Sequence, residues 1–332
     1  MIDISVVVPI YNEEDSIAML VSRLHEALCA TGRSYEMVLI DDGSQDKSWE
    51  KMVALSKQYP GLHLIRFRRN FGQTAAMSAG FNEARGDIII TMDADLQNDP
   101  CDIPKLLAEV DKGFDVVSGW RRDRKDTFIN RKLPSLIANS LISHITGVHL
   151  HDYGCTLKAY RKEIVRNIQL YGELHRFIPA LASWVGGEIS EVAVTHHPRQ
   201  FGKSKYGIGR TVKVILDLMT VKFLLRYSTR PIHIFGKWGL NFGCFGILML
   251  MFMATANLSH LFFGTEFCAE LIKRPFWVIT PFMLLFFGLQ FISMGILAEI
   301  QIRTYHEAQN KPIYVIRETV EPVESTPATP KS

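Results

Sequence analysis

The segment Thr91-Met92-Asp93-Ala94-Asp95-Leu96-Gln97 places two carboxylates at i and i+2 directly after the apolar run Asp87 to Thr91. Such a pair suits a hard divalent cation. Mg²⁺ typically takes one or two protein carboxylates and fills its shell with phosphate oxygens and water, so the cation would sit on a diphosphate. Asp-x-Asp alone is a weak signal, because loops collect aspartate as turn and cap residues. Its position is what strengthens it. Pro9-Ile10-Tyr11-Asn12-Glu13-Glu14 and Asp41-Asp42-Gly43-Ser44 also follow strand-like runs. A ring and carboxylates there can stack on and hydrogen-bond a nucleobase and ribose, although Asp42 and Ser44 could simply cap the next helix. The turn after the first run carries neither G-x-G-x-x-G nor G-x-x-x-x-G-K-[ST], which disfavours dinucleotide oxidoreductases and P-loop ATPases. Carboxylates and a metal without glycines fit a nucleotide-sugar donor.

The elements that must position these residues follow from hydrophobic period. Ile4 to Pro9, Glu36 to Ile40, His63 to Arg66, Asp87 to Thr91 and Asp115 to Ser118 read as buried parallel strands. Between them, helical-period stretches run over Asp15 to Ala30, with Ile17, Leu20, Val21, Leu24 and Leu28 on one face, and over Lys47 to Tyr59, Gln73 to Ala84 and Ile103 to Lys112. Alternating strand and helix specifies an α/β sheet with right-handed crossovers, and ligands bind such sheets at the carboxyl ends of the strands. All three polar clusters are expected there.

The 332 residues allow two or three domains, and 47% hydrophobic against 21% charged residues excludes a disordered chain. A mean hydropathy of +0.07 averages a polar front and an apolar back. With 37 Lys and Arg against 34 Asp and Glu, the net charge of +3 is too balanced for a dedicated nucleic-acid binder. The five cysteines are scattered without C-x-x-C, so neither a disulfide framework nor a structural zinc site is indicated. The start of the chain lacks a signal-peptide pattern, which predicts a cytoplasmic front part.

Trp238 to Phe263 and Pro275 to Ala298 carry no charged residue and are long enough to span a bilayer. Arg226, Arg230 and Lys237 precede the pair, and Arg303 and Lys311 follow it. The loop sets Lys273 and Arg274 against Glu266 and Glu270. The Lys and Arg bias favours both ends inside. Residues 207–229 and 128–145 carry amphipathic stripes beside basic residues, the pattern of helices lying on anionic lipid, although an ordinary helix packed on the sheet explains 128–145 equally well. The expected organisation is a cytoplasmic catalytic domain over 1–230, a two-span domain over 231–305, and a cytoplasmic tail over 306–332. Pro, Thr and Glu in that tail predict disorder.

Val8-Pro9-Ile10-Tyr11-Asn12-Glu13, Ile40-Asp41-Asp42-Gly43-Ser44, Asn70-Phe71-Gly72-Gln73 and Asp93-Ala94-Asp95-Leu96-Gln97 together resemble glycosyltransferase family 2, with its GT-A fold. Gly119-Trp120-Arg121, Asp152-Tyr153-Gly154-Cys155, His175-Arg176-Phe177-Ile178-Pro179 and Phe201-Gly202-Lys203-Ser204-Lys205-Tyr206 are similar to the polyisoprenyl-phosphate branch of that family, the relatives of dolichol-phosphate mannose synthase and the bactoprenol glucosyltransferases. The resemblance covers residues 4 to 230, and the two-span tail is like that of bacterial members.

By that resemblance Asp93 and Asp95 bind Mg²⁺ or Mn²⁺ with Gln97 nearby, and Pro9, Tyr11, Glu13, Asp41 and Asp42 hold the nucleotide. Arg121, Arg131 and Ser135 hold the lipid phosphate, while Arg199, Lys203 and Lys205 supply positive charge around donor or acceptor. Asp152 matches the position proposed as base. A phosphate monoester with a second pKa near 6 is already mostly anionic at neutral pH, so Asp152 orients substrate as an alternative. Arg176, an internal Arg before an apolar run, is expected to have a partner and a catalytic role; His175 reads as a sugar-hydroxyl donor or a structural residue.

The implied reaction is inverting transfer of a sugar from a nucleoside diphosphate to undecaprenyl phosphate at the bacterial cytoplasmic membrane. UDP-glucose is the favoured donor. Tyr153-Gly154-Cys155 is also found in 4-amino-4-deoxy-arabinose transferases, whereas His175-Arg176 argues for an ordinary hexose. GDP-mannose, UDP-N-acetylhexosamine and a UDP-4-amino-4-deoxy-arabinose derivative remain alternative donors, and homo-oligomers and a lipid-sugar flippase are open as partners. The rival from another class is a non-catalytic membrane partner of such a flippase. A processive polysaccharide synthase is disfavoured by the missing Gln-x-x-Arg-Trp and the small number of spans.

Overall fold

The computed structural model describes residues 2–122, 142–143, 146–168, 170, 174–198, 232–264, 274–308 and 313–322. The chain divides into two compact units, Met1–Val221 with Pro312–Ser332, and Lys222–Lys311. The expected stretch 207–229 lies outside the described residues, as does 128–145 apart from residues 142 and 143.

The first unit is built on strands β1 (Ile4–Ile10), β2 (Tyr35–Asp41), β3 (Leu62–Phe67), β4 (Ile88–Thr91), β5 (Val116–Trp120), β6 (Lys158–Arg161), β7 (Ile189–Ala193) and β8 (Ile316–Val320). They form one sheet in the order β7-β5-β6-β4-β1-β2-β3-β8. Helices α1 (Ile17–Cys29), α2 (Ser48–Ser56), α3 (Gln73–Glu83) and α4 (Ile103–Asp111) alternate with the first five strands, close to the expected bounds. Two short helices follow, α5 (Lys162–Arg166) and α6 (Ile178–Trp184). Ile17, Leu20, Val21, Leu24 and Leu28, the stripe expected on α1, are all fully buried against Ile4, Val6 and Val8 of β1. Continuous apolar strands make sense here, because β1 is covered on both faces: Val7 meets Gly80 of α3 on the other side.

Two features depart from expectation. The sheet is mixed rather than parallel: β6 inserts between β4 and β5 and runs antiparallel to both, so β5 has the expected direction but not the expected neighbour. The tail expected to be disordered from 306 onward instead returns to the first unit, where Ile316–Val320 pairs antiparallel with β3. Tyr314, just before the strand, is buried against Phe67 of β3, a contact that the Pro, Thr and Glu content of the following residues conceals.

The second unit holds α7 (Ile232–Phe263) and α8 (Pro275–Ala308). Phe235–Phe262 and Pro275–Ala298 are long and apolar enough to cross a membrane. Apolar residues cover these helices all round, and Leu240, Phe245, Leu248, Phe282, Phe286 and Leu289 are exposed, a surface suited to lipid rather than water. The helices meet through small residues. A Cβ on Gly288 would lie 2.8 Å from the Gly239 carbonyl oxygen and 2.9 Å from the Gly243 nitrogen. Phe242 stacks on Phe291 with centroids 5.7 Å apart.

Candidate active site

The loops after β1, β2, β3 and β4 converge at one end of the sheet and are braced to one another. Asn12 adopts φ +53°, a region Asn tolerates. There its amide donates to Ser44 Oγ (2.9 Å), and its Oδ1 accepts from the Gln45 amide (2.8 Å), tying the first loop to the second. The second loop is tied to the third through Asp42, whose carboxylate accepts from the Phe71 (2.7 Å) and Gly72 (3.0 Å) amides. Only glycine fits at position 43, where φ is +71° and a Cβ would stand 2.5 Å from the Arg69 carbonyl carbon. The third loop reaches the fourth: Gln73 Nε2 donates to Asp93 Oδ1 at 2.8 Å. In the fourth, Leu96 is held at φ +60° with its side chain buried, and the turn lets the Gln97 amide donate to Asp95 Oδ1 (3.1 Å). A left-handed leucine is strained, and such strain is kept where the surroundings over-determine it.

Between these loops lies a cleft of about 220 Å³, lined by Pro9, Tyr11, Glu13, Asp42, Asp93 and Asp95, together with Asn70, Gly72 and Gln73. Burial, with the charge of Asp95 added, raises the Asp93 carboxyl to about 6, while a Thr156 hydrogen bond and the Arg121 and Lys158 charges pull it down. Burial likewise lifts Asp42 to about 6 against the two amide bonds that favour its ionised form. The donor set at Asp93 and Asp95 fits a divalent cation. Two oxygen-bearing side chains repel each other in a desolvated cleft, and among the described residues no cluster of three or more His, Cys, Asp or Glu supplies further ligands. A cation there has open positions for diphosphate and water.

Beside this cleft stands an ion pair. Arg121 directly follows β5 and donates Nε to Asp152 Oδ2 (2.6 Å) and Nη2 to Oδ1 (3.0 Å). The Gly154 amide donates to Oδ1 at 3.0 Å, and the Arg121 amide lies 3.4 Å from Oδ2. Glu191 of β7 accepts from the His151 and Asp152 amides, and the His151 ring, 2.7 Å from that carboxylate, stacks on Trp120 at 4.3 Å. Lys158 is buried opposite Thr91 and donates to the Tyr153 and Cys155 carbonyls, and burial lowers its pKa.

The expected residues thus fall into four groups, the Arg121–Asp152 ion pair being one. Pro9, Tyr11, Glu13, Asp42, Asp93 and Asp95 share the cleft. Asp41 does not: it is fully buried, accepts from the Ser44 amide (2.9 Å) and faces Arg66 Nε at 3.3 Å, so it holds the turn rather than a ligand. Gln97 is outside the cleft lining, its carbonyl accepting from the His197 amide. Arg176 is half-buried in a 3-10 turn, Leu174–Phe177, also outside the lining, whereas His175 beside it pairs with Thr74 Oγ1 at 2.8 Å. Arg131, Ser135, Arg199, Lys203 and Lys205 lie outside the described residues. Gln73 and Lys158 were given no role from sequence. A glutamine opening the helix after β3, and a lysine inside the apolar Leu157 to Tyr160 run, were the available signals.

A cleft at the strand ends of a mixed α/β sheet, lined by paired aspartates, is the arrangement of GT-A glycosyltransferases. The family profile "Glycosyl transferase family 2" matches residues 5–169. The chain is 44% identical to the dodecaprenyl-phosphate galacturonate synthase of Rhizobium johnstonii, over 96% of this chain and 93% of that one. It is 39% identical to the undecaprenyl-phosphate 4-deoxy-4-formamido-L-arabinose transferase of Salmonella typhimurium, over 99% and 97%. The chain belongs to glycosyltransferase family 2. Its fold is also that of the glucosyl-3-phosphoglycerate synthase from Mycobacterium tuberculosis, solved in complex with Mn²⁺, UDP and phosphoglyceric acid. That structure is 19% identical with a TM-score of 0.51, over 66% of this chain and 78% of that one.

Proposed function

We propose that this glycosyltransferase moves a sugar from a UDP-sugar to polyprenyl phosphate, with UDP-galacturonate in place of the UDP-glucose favoured by sequence. The observation that carries the reading is the pairing of Asp93 and Asp95 in one cleft with Tyr11, Glu13 and Asp42, close enough to Arg121 for its charge to act on Asp93. The donor sugar follows the 44% identical galacturonate synthase, and the acceptor follows both relatives.

In the proposed reaction a phosphate oxygen of the lipid attacks the anomeric carbon, the bond from that carbon to the diphosphate breaks, and UDP leaves with inversion. Tyr11 and Glu13 would hold base and ribose, and Asp42 fixes the loop of Asn70 and Gly72 along the nucleotide. Asp93 and Asp95 would hold Mg²⁺ or Mn²⁺, which when bound supplies positive charge for the departing diphosphate. Arg121, held flat by Asp152, would meet the lipid phosphate. Asp152 is an orienting residue in this scheme and not the base: its carboxylate offers about four lone-pair positions, and Arg121 and the two amides face all of them. The two apolar helices would anchor the chain in the bacterial cytoplasmic membrane with both ends on the cytoplasmic side.

The test is transfer of radiolabel to short-chain polyprenyl phosphate from UDP-galacturonate, UDP-glucose, UDP-N-acetylglucosamine, UDP-4-deoxy-4-formamido-L-arabinose or GDP-mannose, with Mg²⁺, Mn²⁺ or EDTA. Metal-dependent labelling from UDP-galacturonate is expected. Labelling by a different sugar alone would correct the donor, and no labelling from folded protein would overturn the reaction.

A further inference from the structure

The C-terminal strand does more than cover a sheet edge. β8 pairs with β3 through Leu64↔Val320, Ile65↔Thr319, Arg66↔Glu318 and Phe67↔Ile316, with a register irregularity between Arg66 and Phe67. The contact continues past the strand, where the Arg68 amide donates to the Val315 carbonyl at 3.0 Å. Tyr314 then turns its buried ring onto Phe67, stacked at 5.1 Å and 14°, and its hydroxyl accepts from Asn82 Nδ2 at 3.0 Å. Phe67 in turn meets Phe71 edge-on at 5.8 Å. The Phe71 amide is one of the two held by Asp42. Asn70, Gly72 and Gln73 of this same loop line the cleft.

Tyr314 therefore holds Phe67, which ends β3 directly before the donor loop, while its hydroxyl separately meets Asn82 near the end of α3. We propose that Tyr314 is a positioning residue for donor binding, setting loop 68–73 through the Phe67 and Phe71 rings. The loop coupling rests on the geometry, and its effect on the donor rests on the reading of the cleft as the UDP-sugar site. An edge-covering strand alone would need only backbone pairing and would leave the loop's conformation to Asp42. An aromatic pair is worth a few-fold to about tenfold in an equilibrium constant, and the relay uses two.

The experiment uses the full chain in lipid nanodiscs, with Tyr314→Ala, Tyr314→Phe and Tyr314→Leu. Leucine keeps an apolar cover if alanine prevents folding. The first readout is hydrogen exchange at the Phe71 and Gly72 amides, which needs no substrate. The second is KM and kcat for UDP-galacturonate. In Tyr314→Ala and Tyr314→Leu the two amides are expected to exchange about tenfold faster. The donor KM should rise about five- to tenfold, with kcat within about twofold, because ground-state binding is what the loop serves. Tyr314→Phe, which keeps the stack, should match the wild type in both. Unchanged loop exchange in folded Tyr314→Leu would overturn the proposal, as would a loss confined to kcat. Faster loop exchange in a protein whose wild type transfers no sugar would uphold the loop coupling and refute the sugar-transfer reading instead.

Discussion

Replacing Asp152 by Asn takes one negative charge from a pair whose side chains are only 14% and 8% exposed, so water does little to replace it. The carboxylate now receives Arg121 Nε and Nη2 at 2.6 and 3.0 Å and the Gly154 amide at 3.0 Å. An asparagine keeps one acceptor oxygen and turns an NH₂ donor toward the other N–H groups. Losing a hydrogen bond to a charged group costs about 1.5–3 kcal/mol, and removing a partner of a buried pair costs about 3–5 kcal/mol. If Asp152 acts by orienting Arg121, the asparagine variant should lose about 10- to 100-fold in kcat/KM. Arg121→Gln should lose at least as much, and the double variant should be no worse than Arg121→Gln alone. A general base would behave differently, costing about 10²–10⁴ in kcat and abolishing the acid limb of the pH–rate profile in Asp152→Asn but not in Arg121→Gln. The assay is the four-protein cycle of sugar transfer, with unfolding midpoints run alongside. Effects that add to within about 0.5 kcal/mol would refute the orienting role.

Asp95→Asn should lower transfer at least about 100-fold, since metal stabilisation of a leaving diphosphate is worth several kcal/mol, and should weaken Mn²⁺ binding followed by electron paramagnetic resonance; Mn²⁺-dependent transfer at wild-type rate would contradict the site. For Asp42, burial holds the folded carboxyl near 6 against 3.8 unfolded, so the folded state binds the extra proton between these values and this group's contribution to stability falls as pH rises through that window. The fall amounts to at most about 3 kcal/mol, less what solvent screening of a group lining an open cleft removes, and Asp42→Asn should abolish it in wild-type-minus-variant unfolding curves. Donor affinity should run the opposite way, dropping as pH falls below about 6, because a protonated Asp42 is a weaker acceptor for the two loop amides. Gly80→Ala would set a Cβ 2.2 Å from Val7 Cγ1, an overpacking expected to cost about 1–3 kcal/mol. Pairing it with Val7→Ala should recover part of that loss in thermal unfolding; simple additivity would mean that helix α3 shifts elsewhere.

What could be read along the chain was what is encoded locally. Hydrophobic period marked α1 to α4 and the first five strands, because burial of one helix face or of a whole strand is written in consecutive residues. Strand-end polar clusters marked Tyr11, Glu13, Asp42, Asp93 and Asp95, because the topology of parallel strands obliges their carboxyl ends to meet. The same rule failed for Asp41, one residue from Asp42, since side chains alternate across a strand end and Asp41 points to Arg66 rather than into the cleft. The partner of Asp152 is Arg121, which shares no local pattern with it, and the fate of the tail depended on a partner far away: Asn82 and Tyr314 are 232 residues apart. Neither the antiparallel insertion of β6 nor the return of β8 has a period of its own, because edge and antiparallel pairings are chosen by which surfaces remain open once the parallel core has formed. Local pattern carried the parallel core and the carboxylate cleft, while long-range packing set which polar side chains face that cleft and which face one another.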